Sequence, residues 1–250
     1  MPDIIAYVLA VPGFWWLILT MGMAGLVRGF TGFGTALIFV PVAGLFLPAE
    51  TVIAVMALTG MVSTFVLLPR AWRQGDPSEV GTLVLTALVT VPLGLFLMQK
   101  LDNLTVRWIV SAVAGGTLIA LVSGWRYQGK VRRAGLLAIG AAAGLVGGMT
   151  GLTGPVVILF YLAGQAVAQS VRANTIMFLA ALDVVIVINL LISGLAGWPA
   201  AWLAFALAVP YFITTLIGQA LFDPGRERVY RLAAFAVIGL AVASGLPIWN

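Results

Sequence analysis

Residues 29–34 read GFTGFG and residues 148–154 read GMTGLTG, each inside an apolar run that otherwise passes for membrane helix. A chain crossing lipid must satisfy its backbone hydrogen bonds internally, so irregular backbone is tolerated there only when packed in protein or lining a cavity. Glycine adopts backbone geometry that other residues avoid. A lone small-xxx-small pattern marks close helix packing. Two copies, each with threonines (Thr31 and Thr35; Thr150 and Thr153) and each midway along an overlong apolar run, read as breaks in the helix.

The rest of the chain sets the solvent. Of 250 residues 62% are hydrophobic and 8% charged, with a mean hydropathy of +1.13. A soluble domain carries roughly 25% charged residues. The apolar segments fall at about 14–27, 35–47, 51–69, 78–98, 107–124, 134–147, 155–168, 174–194, 199–220 and 230–247. They show no alternating polar face, which excludes a β-barrel. The expected class is an all-α polytopic membrane protein. Asp3 and the missing basic n-region argue against a cleaved signal peptide. Trp15 and Trp16 suit an interfacial belt. With no cysteine and no histidine, disulfides, thiol chemistry, imidazole relays and Cys/His metal sites are excluded, and no cofactor is expected. The net charge of +5 comes from residues in short loops, so it sets topology and does not imply nucleic acid.

The chain reads as duplicated. PLGLFL at 92–97 stands in the first half where TLIGQALF at 215–222 stands in the second, and each half closes on Ser-Gly, at 123–124 and 244–245. The expected domains are a first repeat at 1–124, a basic cytoplasmic linker at 125–133 and a second repeat at 134–250. If the runs 14–47 and 134–168 each return to the side they left, ten basic residues are cytoplasmic (Arg70, Arg73, Arg126, Lys130, Arg132, Arg133, Arg172, Arg226, Arg228, Arg231) against two outside (Lys100, Arg107). If each run crosses once, the tally is six against six and the positive-inside bias vanishes. The first arrangement makes the halves inverted repeats, each with a pair of short or broken helices around its Gly-rich motif plus three full spans. Each arm of a broken pair would have roughly 14 residues, about 21 Å. A single strongly tilted helix is the alternative.

Only Arg28 and Asp183 are charged well inside the segments. Such groups face protein or water and are functional candidates by default. Arg28 offers a forked, permanently charged donor for an oxyanion; otherwise it caps carbonyls at a helix end. Asp183 is a coupling carboxylate for a proton or cation, or else a buried partner of Arg28 or of the opened backbone. Asn174 and Asn189 read as interhelical polar contacts. The second helix of each pair should start near Thr35 and Pro155, since proline suits a first helical turn. Such a start presents free N–H groups and favours an anion. The candidate substrate site is therefore Arg28, Gly29, Thr31, Gly32, Gly34, Thr35, Gly148, Thr150, Gly151, Thr153 and Gly154.

With the motifs placed, the chain resembles the TauE/SafE sulfite exporter family, also called the toluene-sulfonate uptake permease family. The resemblance rests on GLVRGFTGFGTALIFVP (25–41), GLVGGMTGLTGPVVILFYL (144–162), the PLG turn at 92–94 and the basic linker, and covers essentially the whole chain. It implies secondary transport of small anions such as sulfite or organosulfonates in the bacterial inner membrane. It carries over to Gly29, Thr31, Gly32, Gly34, Gly148, Thr150, Gly151 and Gly154, and gives no family role to Arg28 or Asp183. Members are usually described with about eight helices, against which the charge tally stands. An alternating-access exporter leads, and a passive anion channel of the same architecture is the alternative. An intramembrane enzyme lacks a carboxylate dyad or a nucleophile–base pair; a scaffold leaves the paired breaks without a purpose. Proton or sodium coupling and a homo-oligomer both stay open.

Overall fold

The computed structural model describes residues 2–124, 133–163, 168–195, 197–221 and 227–249. Those residues form helices joined by short turns and contain no strand. The helices are α1 (Pro2–Leu9), α2 (Phe14–Thr31), α3 (Thr35–Ala43), α4 (Ala49–Gln74), α5 (Pro77–Lys100), α6 (Asn103–Val122), α7 (Arg133–Thr150), α8 (Pro155–Ala163), α9 (Ala168–Ile192), α10 (Trp198–Ala220) and α11 (Glu227–Gly245), followed by a 3-10 turn at Pro247–Trp249. Most of the linker at 125–133, including Arg126, Lys130 and Arg132, lies outside the described residues, as does Arg226.

Among the described residues six helices, α2, α5, α6, α7, α9 and α10, are long and apolar enough to cross a membrane. Their outward faces carry Leu85, Val89, Ile192 and Phe205, all exposed. Exposed apolar surface on this scale is unstable in water and natural against lipid tails. Trp15 and Trp16 are 71% and 61% exposed at the head of α2, as an interfacial belt requires. Helix starts follow the sequence: Asp76 accepts N–H bonds from Ser78 (2.9 Å) and Glu79 (3.1 Å) ahead of Pro77, and Asp102 accepts from Thr105 (3.0 Å).

The glycine motifs end one helix and begin another, with α3 starting at Thr35 and α8 at Pro155 as expected. The arms differ from the sequence expectation of equal lengths: each pair has a long arm of 18 residues and a short one of 9. The position of the positive-φ glycine, Gly32 or Gly151, sets where the long arm stops. Gly13, just before α2, packs under the ring of Phe46, just beyond α3, so the chain returns to the end it left.

The motifs also pack, and on the other half of the chain. A Cβ on Gly29 would lie 2.5 Å from the Thr215 carbonyl oxygen and 2.7 Å from Gly218 Cα. One on Gly148 would strike the Val91 carbonyl and come within 3.2 Å of Gly94 Cα. Thus α2 crosses α10, and α7 crosses α5, backbone against backbone at matched glycines. The short arms follow the same exchange, α3 against α11 and α8 against α6. Helices α4 and α9 pack together at the centre, where Ile53, Phe178 and Leu182 are buried.

Candidate functional site

Both breaks close the long arm in the same way. Thr31 Oγ1 donates to the Val27 carbonyl (2.9 Å) and accepts from the Phe33 N–H (3.2 Å). Thr150 Oγ1 donates to the Val146 carbonyl (2.7 Å) and accepts from the Leu152 N–H (3.1 Å). Gly32 N–H reaches the Arg28 carbonyl and Gly151 N–H the Gly147 carbonyl, each at 2.8 Å. These two glycines have φ of 80° and 76°, which a side chain adopts only under strain. Thr31 and Thr150 therefore terminate helices; they are backbone partners before they are ligands.

The two short arms then start beside one cavity of about 20 Å³. Gly34, Thr35, Ala36 and Leu37 of the first arm line it, as do Thr153, Gly154, Pro155 and Ile158 of the second. Arg28, Gly60, Asp183 and Tyr211 complete the wall with Met56 and Leu179. A volume of this size holds about one water. The first turn of a helix carries N–H groups without intrahelical partners and the positive end of its dipole. Two such starts and a guanidinium converge here, beside the Asp183 carboxylate and the Tyr211 hydroxyl.

Arg28 is 5% exposed and Asp183 6% exposed. Arg28 Nε has no hydrogen-bond partner. The two charges act on each other through space without a hydrogen bond between them. The direct Arg28–Asp183 bond weighed from the sequence is therefore not made. The Asp183 carboxylate instead presses on Gly60 of α4, where a Cβ would collide with it. Thr35 Oγ1 and Tyr211 OH share a hydrogen bond of 3.1 Å, tying the first short arm to α10.

Of the sequence candidates, Arg28, Gly34, Thr35, Thr153, Gly154 and Asp183 meet at this cavity. Gly29 and Gly148 serve the helix crossings, Thr31, Gly32 and Gly151 shape the breaks, and Thr150 lines a second cavity of about 30 Å³ beside Arg107 and Asn103. Asn174 does join helices: its Oδ1 accepts from the Asp76 N–H (2.7 Å) and its Nδ2 donates to Glu79 (3.3 Å), at the α4–α5 turn. Asn189 does not, because its Nδ2 donates to the Val185 carbonyl of its own helix (2.8 Å).

Sequence reasoning missed Tyr211, Gly60 and Arg172. Tyr211 looks like one more aromatic in a span. Arg172, counted among loop charges, lies inside α9 and donates from Nη2 to the Gly29 carbonyl (3.0 Å). The carbonyl-capping role considered for Arg28 belongs to Arg172, which arrives from 143 residues away in sequence.

These features define a class: a multi-pass helical membrane protein with two broken helices starting at one buried, charge-bearing cavity. Within that class, the family model for the sulfite exporter TauE/SafE matches residues 17–246, and the chain belongs to this family. It is a family of membrane transporters for sulfite-type anions and not of enzymes. No curated protein and no solved structure matches the chain.

Proposed function

We propose that the protein is an alternating-access carrier of small anions, sulfite or an organosulfonate, with the anion held between the starts of α3 and α8. The observation that carries this reading is the convergence of both helix starts and buried Arg28 on one cavity. A pyramidal oxyanion needs several donors at once, and backbone N–H groups with a forked guanidinium supply them. A volume near 20 Å³ is too small for that anion, so the cavity must widen to load it. A site with room for about one water supports a carrier over a passive channel.

The exchanged packing supports two inverted repeats, 1–124 and 134–250, joined by a cytoplasmic linker in the bacterial inner membrane. The hairpin of α2 and α3 favours the ten-to-two charge arrangement. Asp183 is the coupling group in this reading. An empty site balances Arg28 against a carboxylate; an arriving anion displaces that balance, and a proton on Asp183 restores it.

The decisive measurement is sulfite and sulfonate flux in proteoliposomes with pH and sodium gradients imposed separately. Arg28→Ala should raise the half-saturating anion concentration about tenfold or more, the scale of one lost charge-assisted bond. Asp183→Asn should abolish acceleration by a pH gradient while leaving anion exchange intact. Flux unchanged in Arg28→Ala would remove Arg28 from the site. Topology follows from single cysteines replacing Ser78, Ser123, Gln169 and Gly197: only position 197 should label from outside, whereas single-crossing runs would expose position 169 instead.

A further inference from the structure

The two breaks share a plan but not their chemistry. Gly32 and Gly151 are 119 positions apart, and so are Ile53 and Arg172. Each glycine packs against the second member of the crossed pair. A Cβ on Gly32 would lie 2.7 Å from Arg172 Cγ, and one on Gly151 would lie 3.4 Å from Ile53 Cγ1. The first break is therefore closed by an arginine and the second, at the matching place, by an isoleucine.

At the first break Phe33 N–H is taken by Thr31 Oγ1 and Gly32 N–H by the Arg28 carbonyl. The Gly29 carbonyl, at the last turn of α2, accepts from the Arg172 guanidinium. Arg28 and Arg172 thus flank the same glycine turn, Arg28 on the cavity wall and Arg172 on the chain that closes the turn. Arg70 is near enough to Arg172 for their charges to repel. The second break has Gly147 where the first has Arg28, and Ile53 where the first has Arg172.

Resting on the reading of the protein as an anion carrier, we propose that Arg172 is a second anion-binding residue, which serves the path on the first-break side only. A guanidinium holds an oxyanion more strongly than it holds a neutral carbonyl. An anion leaving or approaching the cavity past the first break exchanges with the Gly29 carbonyl for the Arg172 donors. That exchange releases the side chain packed on Gly32, so loading and loosening of this break are one event. At the second break Ile53 stands in the place of Arg172, and Arg107 lines a separate cavity with Thr150, so Arg172 acts on the first-break face alone.

Sulfite flux in proteoliposomes of fixed orientation tests this, with the half-saturating concentration measured separately on each face. Arg172→Gln keeps a polar amide, two bonds shorter than the guanidinium Nη2, and removes the charge; Arg172→Lys keeps the charge. Arg172→Gln should raise half-saturation about tenfold on the first-break face and leave the opposite face unchanged. Arg172→Lys should restore most of the affinity. Equal shifts on both faces, a fall in maximal rate alone, or a Gln variant indistinguishable from the parent would each overturn the proposal and leave Arg172 a structural clasp. If the parent itself moves no sulfite or sulfonate, the carrier reading fails first. Thermal unfolding in detergent identifies a variant that has lost the fold, and the Gln and Lys variants together keep the comparison decisive.

Discussion

The break at Gly32 and the break at Gly151 have the same backbone and different surroundings. Both stop an 18-residue helix with a threonine that turns back on its own last turn, and both launch a 9-residue helix at the central cavity. One is flanked by Arg28 and Arg172, the other by Gly147 and Ile53. The local motif therefore builds the geometry, while residues from elsewhere decide what each copy can bind. Two like backbone breaks with different linings give two helix starts at one cavity, with Arg172 closing the first and Ile53 the second.

Substitutions at matched positions sharpen or break that comparison. The largest effect is expected at the crossings. Gly29→Leu and Gly148→Leu would each force a side chain into a facing backbone, at Thr215 and at Val91, and each should lose about 3 kcal/mol or more by thermal unfolding in detergent. A large loss at one glycine and none at the other would end the equivalence of the two crossings.

Next come the turns. Gly32→Ala and Gly151→Ala both place a side chain at positive φ, a strain of about 1–2 kcal/mol. Gly32→Ala should cost more, because its methyl would also meet Arg172 at 2.7 Å where Gly151 leaves 3.4 Å to Ile53. The reverse order in melting temperature would contradict the packing described for Arg172. The smallest effect is expected at the threonines. Thr31→Val and Thr150→Val remove the matched pair of bonds at each break, Thr31 also losing its contact to the Phe33 carbonyl (2.8 Å), and should each cost about 1 kcal/mol. Unequal values there would mean that one threonine does more than end its helix.

Much of the fold is legible in the sequence because its causes are local. Composition sets the solvent, apolar run length sets the spans, and Pro155 and the glycines set where helices stop and start. Arg28 and Asp183 stand out because a charge in an apolar run is costly. The site is less legible because its members come together from distant segments. Nothing in GFTGFG tells that Gly29 packs while Gly34 lines, since glycine serves close approach and positive φ equally well. Tyr211 becomes a site residue only because its hydroxyl meets Thr35, 176 residues away in sequence. Arg172 sits near a helix end with the other basic residues, where charge counting assigns it to topology.

The sequence by itself determined that this chain spans a membrane as helices, that two helices break at glycine, and that buried charge stands beside one break. Those follow from transfer energies and backbone sterics, which act residue by residue. Only the tertiary structure decided that each broken pair packs on the opposite half, that both short helices start at one cavity, and that Arg172 closes the first break while Ile53 faces the second. Those depend on which helix crosses which, and that choice is made by matched glycines far apart in the chain whose partners no local pattern names.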